Sequence, residues 1–299
     1  MIKRAVLVAG LGAGLAVCGV PAAMAGNLLV TWSPTAVGLT TTPAGSNIVF
    51  DNINSVSDYA DITIPGSTFT ENAVITVDGF TNSTALPNNT YAYSNGTLNY
   101  NGLNNTYGFY AVVTASGTTP GIPVSGSGTS TTGAFTSASY TFYANPNGAT
   151  GVTINNVANG APSIKNAGGS IALFGGSLIS GTDTLTAPAG GGYSPQANLN
   201  VSLTACTLAG QVLPDGTVCS GNESAFFVNP LPQFINLVVQ NYSATTTVSN
   251  LTPGNPTLLS INGGGGNITF ATVPEPASLL VLSSGLLGLG MVLRRRSRS

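Results

Sequence analysis

The sequence contains no histidine. Ser-His-Asp and Cys-His catalysis and histidine-ligated metals are therefore excluded. Charge is scarce as well, with seven Lys and Arg and nine Asp and Glu in 299 residues. Six of the bases sit at the two ends, as Lys3, Arg4, Arg294, Arg295, Arg296 and Arg298, which leaves Lys165 alone between them. The acids between the ends are Asp51, Asp58, Asp61, Glu71, Asp78, Asp183, Asp215 and Glu223, so eight negatives against one positive give residues 26–273 a charge of about −7. Without a basic patch to meet a phosphate backbone, no nucleic acid is expected as a partner. Helical patterning is missing too: between the ends no segment of ten or more residues shows a capped 3.6-residue period, and no repeat of fixed period recurs.

Cysteine is sparse. Cys18 lies in the N-terminal apolar run, and Cys206 and Cys219 flank a segment with Pro214-Asp215-Gly216 as its turn. C-x-x-C spacing is absent, and two thiols without histidine make a poor zinc site. In an oxidising exterior Cys206 and Cys219 are expected to form a disulfide, closing about 14 residues and contributing ~3 kcal/mol in the chain-entropy model.

What the chain does have is strand-like alternation. Residues 73–80 and 198–204 are the clearest runs; in the second, Leu199, Val201 and Leu203 face one way and Asn198, Asn200, Ser202 and Thr204 the other. Similar runs occupy residues 47–50, 61–64, 106–114, 138–144, 170–179, 225–228, 234–240 and 267–271. Turn clusters separate them at Pro43-Ala44-Gly45-Ser46, Asn145-Pro146-Asn147-Gly148, Pro214-Asp215-Gly216 and residues 263–266. This pattern predicts an all-β protein, an antiparallel β-sandwich over residues 26–273 with a long loop near residues 115–132. Solubility would come from hydroxyls and amides instead of charges.

The ends carry addresses. Lys3 and Arg4 precede an uncharged apolar run over residues 5–20, and Ala23-Met24-Ala25 forms an A-x-A site, so residues 1–25 read as a signal peptide. The Gly10-x-Gly12-x-Gly14 spacing has no strand before it and no βαβ unit after it, so it is read as part of that signal helix. At the other end, Pro274-Glu275-Pro276 precedes the apolar residues 277–293, which are uncharged and reach about 25 Å as a helix, near the lower limit for a bilayer. Arg294, Arg295, Arg296 and Arg298 would stay on the cytoplasmic side, placing the body outside. The two prolines force an extended peptide just before the helix.

Taken in that order, Val273-Pro274-Glu275-Pro276, the short helix and the arginine cluster resemble the PEP-CTERM sorting signal of Gram-negative bacteria. The resemblance implies export across the inner membrane, transient anchoring through residues 277–293, and processing by an exosortase encoded beside exopolysaccharide genes. The final place would be the cell surface or extracellular matrix. A second resemblance lies in the body. Tyr143-Ala144-Asn145-Pro146-Asn147-Gly148-Ala149-Thr150, then Gly176-Ser177-Leu178-Ile179-Ser180-Gly181, then Phe226-Phe227-Val228-Asn229-Pro230-Leu231-Pro232 is similar to the order of landmarks in flocculation-associated PEP-CTERM proteins, although Asn145 stands where that family has aspartate. It implies a structural or adhesive role in biofilm or floc, with exopolysaccharide or other matrix proteins as partners.

Candidate chemistry within the body is thin. Tyr91, Tyr93, Tyr100, Tyr107, Phe109 and Tyr110 crowd into one stretch with asparagines between them. As a surface, Tyr91, Tyr93, Tyr107 and Tyr110 would stack on sugar rings; as alternating strand residues they would enter a core, the reading preferred here. Asp51, Asp58 and Asp61, with Asn52 and Asn54, form the densest set of oxygen ligands, suited to calcium on a loop. No EF-hand glycine and terminal glutamate follow, so solvated loop polarity is expected and no metal. No carboxylate pair stands in a glycosidase context. The chain is read as non-catalytic and without a cofactor; the alternatives are a carbohydrate-binding module or weak glycosidase, and a self-assembling coat protein.

Overall fold

A computed structural model describes residues 28–40, 47–81, 103, 106–148, 151–221, 225–228, 232, 234–240, 245–249 and 256–271. In chain order the strands are β1 (Val30–Trp32), β2 (Ile48–Phe50), β3 (Asn52–Ile64), β4 (Thr68–Thr81), β5 (Gly108–Thr118), β6 (Thr129–Asn145) and β7 (Val152–Thr153). They continue as β8 (Ser163–Ile164), β9 (Ile171–Ala187), β10 (Ser194–Ser202), β11 (Thr204–Ala205), β12 (Phe234–Gln240), β13 (Thr245–Ser249) and β14 (Thr257–Ala271). One 3-10 turn spans Pro34–Val37. Asn27–Val273 forms one compact unit.

The protein is all-β and antiparallel, as the alternation predicts. The layering is more specific than a two-sheet sandwich. One sheet runs β10-β12-β14-β3-β4-β5-β6-β9, and β10 also pairs with β9, from Ser194↔Thr186 to Val201↔Leu178. That pairing closes the eight strands into a ring. An eight-stranded barrel has an interior just wide enough for side chains to fill or for one small cavity.

Strand alternation decides what faces in. On β4, Phe69, Ala73, Ile75 and Val77 are buried inside, and on β10 Leu199 and Val201 are, while Asn198 and Asn200 face out. The outer face is rich in Thr, Ser and Asn and the inner one in aliphatic and aromatic residues, the reverse of a membrane-spanning barrel. Several strands outrun the apolar runs that announce them. Residues 129–137 of β6 and 180–187 of β9 are Thr-, Ser- and Gly-rich, yet they pair along their length from Thr129↔Ala187 to Ala134↔Thr182.

The predicted loop at 115–132 is shorter in the fold, because residues 115–118 continue β5 and 129–132 begin β6. Residues 263–266, expected as a turn, run through the middle of β14. The register there shifts between Asn262 and Gly264, and Gly263 has φ +82°, so the glycines build a bulge in a continuous strand. Residues 225–228, expected as a strand, make only the Trp32↔Phe227 bridge.

One end of the barrel is plugged. β1 lies between β2 and residues 226–228, held by Ser33 N–H donating to Phe226 O at 2.7 Å and Val228 N–H to Thr31 O at 2.9 Å. Trp32, the single tryptophan, is wholly buried in a ring of phenylalanines, with centroids at 4.7 Å to Phe50, 4.9 Å to Phe226, 5.2 Å to Phe109 and 5.5 Å to Phe142. Fully burying one such ring contributes about 1.5–3 kcal/mol, so this cluster anchors the fold at that end.

Candidate functional site

Two features remain after the core is accounted for, one on each side of the barrel wall. On the outer face, β5 and β6 place hydroxyls opposite each other: Thr114 and Ser139 lie 3.0 Å apart, and Ser116 and Ser137 lie 2.7 Å apart. Beside them the β6–β9 ladder skips from Ala134↔Thr182 to Ser139↔Ser177, so the wall opens locally. The result is a groove of about 360 Å³ with Thr114, Ser116, Ser137, Ser139 and Ser177 in its lining and Pro214 at one side. Among the described residues no charged side chain lines it.

The Pro214 wall belongs to the disulfide loop. Cys206 and Cys219 are bonded, at 2.03 Å, and pack with Leu213 and Ala172. Asp215 ties the loop tip to the barrel by accepting from Thr141 Oγ1 at 2.5 Å and from Thr217 Oγ1 at 2.9 Å. The hydroxyl pattern continues beyond the groove with Ser130–Thr186 at 2.9 Å and Thr132–Thr184 at 3.2 Å. Asn236 extends it as amides, donating to Asn198 Oδ1 at 3.1 Å and Asn200 Oδ1 at 2.9 Å. Each hydroxyl pair uses one donor and keeps lone pairs and a second hydroxyl hydrogen for a neutral polyol.

Inside the barrel, at the end opposite the plug, lies a cavity of about 60 Å³. Asp58 on β3, Glu71 on β4 and Asp183 on β9 occupy inward positions among Ile62, Phe69, Ala73, Leu185 and Leu199. Burial raises Glu71 to a pKa of about 8, and the neighbouring Asp58 and Asp183 add to it. Burial likewise lifts Asp58 to about 7 against the pull of the Tyr59 backbone amide. Asp183 is pushed up by burial more than the Asp183 and Gly133 amides draw it down, and its Oδ1 is buried without a partner in hydrogen-bonding geometry. Gly133 makes the space, since a Cβ there would lie 2.3 Å from Asp183 Oδ1.

The residues singled out in the sequence are placed as follows. Ala23, Ala25, Tyr91, Tyr93, Pro274, Glu275, Pro276, Arg294, Arg295, Arg296 and Arg298, with the apolar segment 277–293, lie outside the described residues. Tyr107 is wholly buried beside Phe109, at 5.5 Å, with its hydroxyl unpartnered, and Tyr110 is buried and stacked on Tyr143 at 5.1 Å. Neither offers a ring face to a surface glycan, because the start of β5 is covered on both sides. Asp51, Asp58 and Asp61 are buried, not solvated. Three residues apart on a strand, Asp58 and Asp61 face opposite ways: Asp58 points into the barrel, and Asp61 accepts from Ser260 Oγ at 2.6 Å and Asn155 N–H at 3.1 Å. Among the described residues no three His, Cys, Asp or Glu side chains converge on a metal-sized site.

The sequence reading missed the hydroxyl pairs, whose partners lie 21 to 56 residues apart. It also missed Glu71, for which a signal existed. Phe69, Glu71, Ala73, Ile75 and Val77 form one period-2 row, so the glutamate had to share the apolar face.

Residues 272–296 match the family described as the PEP-CTERM protein-sorting motif. The chain thus carries the signal of a protein sorted by an exosortase to the surface of a Gram-negative bacterium. No curated protein and no solved structure matches the chain.

Proposed function

We propose that this chain, which carries a PEP-CTERM sorting motif, is a non-catalytic surface protein that retains neutral exopolysaccharide around the cell. The observation that carries the reading is the uncharged hydroxyl and amide face of β5, β6, β9, β10 and β12 with its groove of about 360 Å³. Pockets of this size suit small ligands, and a neutral polyol exchanges water hydrogen bonds for hydroxyl ones without burying charge. The body's resemblance to flocculation-associated proteins points to the same place of work, biofilm or floc.

A glycosidase reading has less support. The carboxylates that gather do so in a cavity of about 60 Å³, room for a few waters. A sugar ring does not fit there, and among the described residues the groove outside holds no acid.

The test is retention of the purified protein on the exopolysaccharide of the producing strain, with Ser137→Leu/Ser139→Leu as the variant. The wild type should be retained equally at low and high salt, and the variant should lose most of that retention while keeping the thermal transition. Retention that salt abolishes, or that the variant preserves, would overturn the reading. Deleting the gene should also reduce cell aggregation.

A further inference from the structure

The inner cavity has no role in that reading. Its composition is unusual for a barrel interior. Eight strands supply inward rows, and on three of them a carboxylate replaces an apolar residue: Asp58, Glu71 and Asp183. The other five strands, β5, β6, β10, β12 and β14, contribute no titratable side chain to the lining. Lys165, the one base between the two ends of the chain, lies beside Gly151 and not in the cavity. Asp61, the remaining acid on β3, faces outward onto Ser260 and Asn155. Among the described residues nothing in the cavity therefore compensates three negative charges.

We propose that this end of the barrel is a proton-linked closure, in which Glu71, flanked by Asp58 and Asp183, must hold protons for the wall to pack tightly, and loosens it when ionised. The geometry makes the argument. A carboxylic acid in an apolar cavity keeps one donor and one acceptor and tolerates its neighbours, whereas three carboxylates crowded there, Asp58 buried and Glu71 and Asp183 half-buried, repel one another with no counter-ion among the lining residues. The Asp183 Oδ1 atom, buried without a partner beside Gly133, is a natural acceptor for a proton on a neighbouring acid.

The sign follows from proton binding. The folded protein holds protons that the unfolded chain releases near pH 4, so the native state binds more protons between about pH 4 and about pH 8. Stability is therefore fully present at the acid end of that window, falls as pH rises through it, and levels off above. An acidified matrix would hold the barrel shut, and an alkaline medium would loosen the cavity end first.

The experiment is thermal unfolding of the protein from pH 5 to pH 9, beside Glu71→Gln and Asp183→Asn. The wild-type Tm should fall by roughly 5–10 °C from pH 5 to pH 8.5. Glu71→Gln should flatten that fall and melt above wild type at pH 8.5. A wild-type Tm that rises toward pH 8.5, or a Glu71→Gln profile parallel to wild type, would overturn the proposal. Carboxyl ¹³C titration in the unmutated protein gives an independent check should the variants not fold. A Glu71 midpoint above pH 6 supports the closure, and one near 4 refutes it. Neither readout depends on glycan binding, so failure here leaves the surface reading standing, and the reverse also holds.

Discussion

Trp32 shows how much a single residue decides in a chain this poor in charge. Its indole is wholly buried and contacts rings from β2, β4, β5, β6, β9 and β14, so one side chain ties together most of the wall at the plugged end. Trp32→Ala should cost about 3–5 kcal/mol, read as a lower urea midpoint, whereas Trp32→Phe should cost less because the aromatic volume is partly kept. The buried Nε1 has no partner, so Phe would also remove an unsatisfied donor. The tryptophan's place was not legible in the sequence, since β1 has three residues and too few alternations to show a period. The tyrosines tell a similar story. Their spacing allowed a core or a surface, and Tyr107 and Tyr110 went to the interior because neighbouring segments, distant in sequence, cover both faces of that strand. Of the three acids expected to be solvated, Asp51 lies between β2 and β3, whereas Asp58 and Asp61 lie within β3, where the sheet supplies backbone partners and overrides the turn preference of Asn, Asp and Ser.

At the scale of elements, legibility followed hydrophobicity. Residues 234–240 coincide with β12, and the run at 47–50 contains β2, both apolar runs. The invisible halves of β6 and β9 are written in Thr, Ser, Gly and Ala, a composition shared with loops, and only their pairing to each other distinguishes them. The groove sits where those two strands part, so the candidate site lay in the least readable stretch. The disulfide was readable from cysteine arithmetic alone, and its structural consequence is specific. It holds the loop that carries Pro214 and Asp215 against β6. Replacing both cysteines, as Cys206→Ser/Cys219→Ser, should lower stability by ~3 kcal/mol, measured by chemical denaturation. The same variant should weaken exopolysaccharide retention, because only hydrogen bonds such as Thr141–Asp215 and Tyr143–Thr217 would then fix the groove's Pro214 wall. Unchanged stability with unchanged retention would mean that the Thr141–Asp215 and Tyr143–Thr217 hydrogen bonds hold the loop without the staple.

At the scale of the whole molecule, the barrel has two ends built by opposite chemistry. One is closed by an aromatic plug that includes Tyr107, whose hydroxyl burial holds above the usual tyrosine range. The other encloses carboxylates. The all-β antiparallel class was evident from alternation and turns, but ring closure was not, because it needs β14 to pair with β3, far back in the chain, and alternation carries no information on which distant strands meet. β4 carries Glu71 near one end and Phe80 at the other, and we predict that loosening around Glu71 leaves the rings around Trp32 packed. The protein contains one tryptophan, which makes the separation measurable without a label. Raising the pH from 5 to 8.5 should leave the blue-shifted emission of Trp32 in place, while amide hydrogen exchange, corrected for its intrinsic pH dependence, accelerates near Glu71 and Asp183. A red shift over that range would mean that the plug opens with the cavity and that the barrel responds as one unit. A constant spectrum with unchanged exchange near Glu71 would mean that the acid cluster is mechanically silent, whatever its protonation.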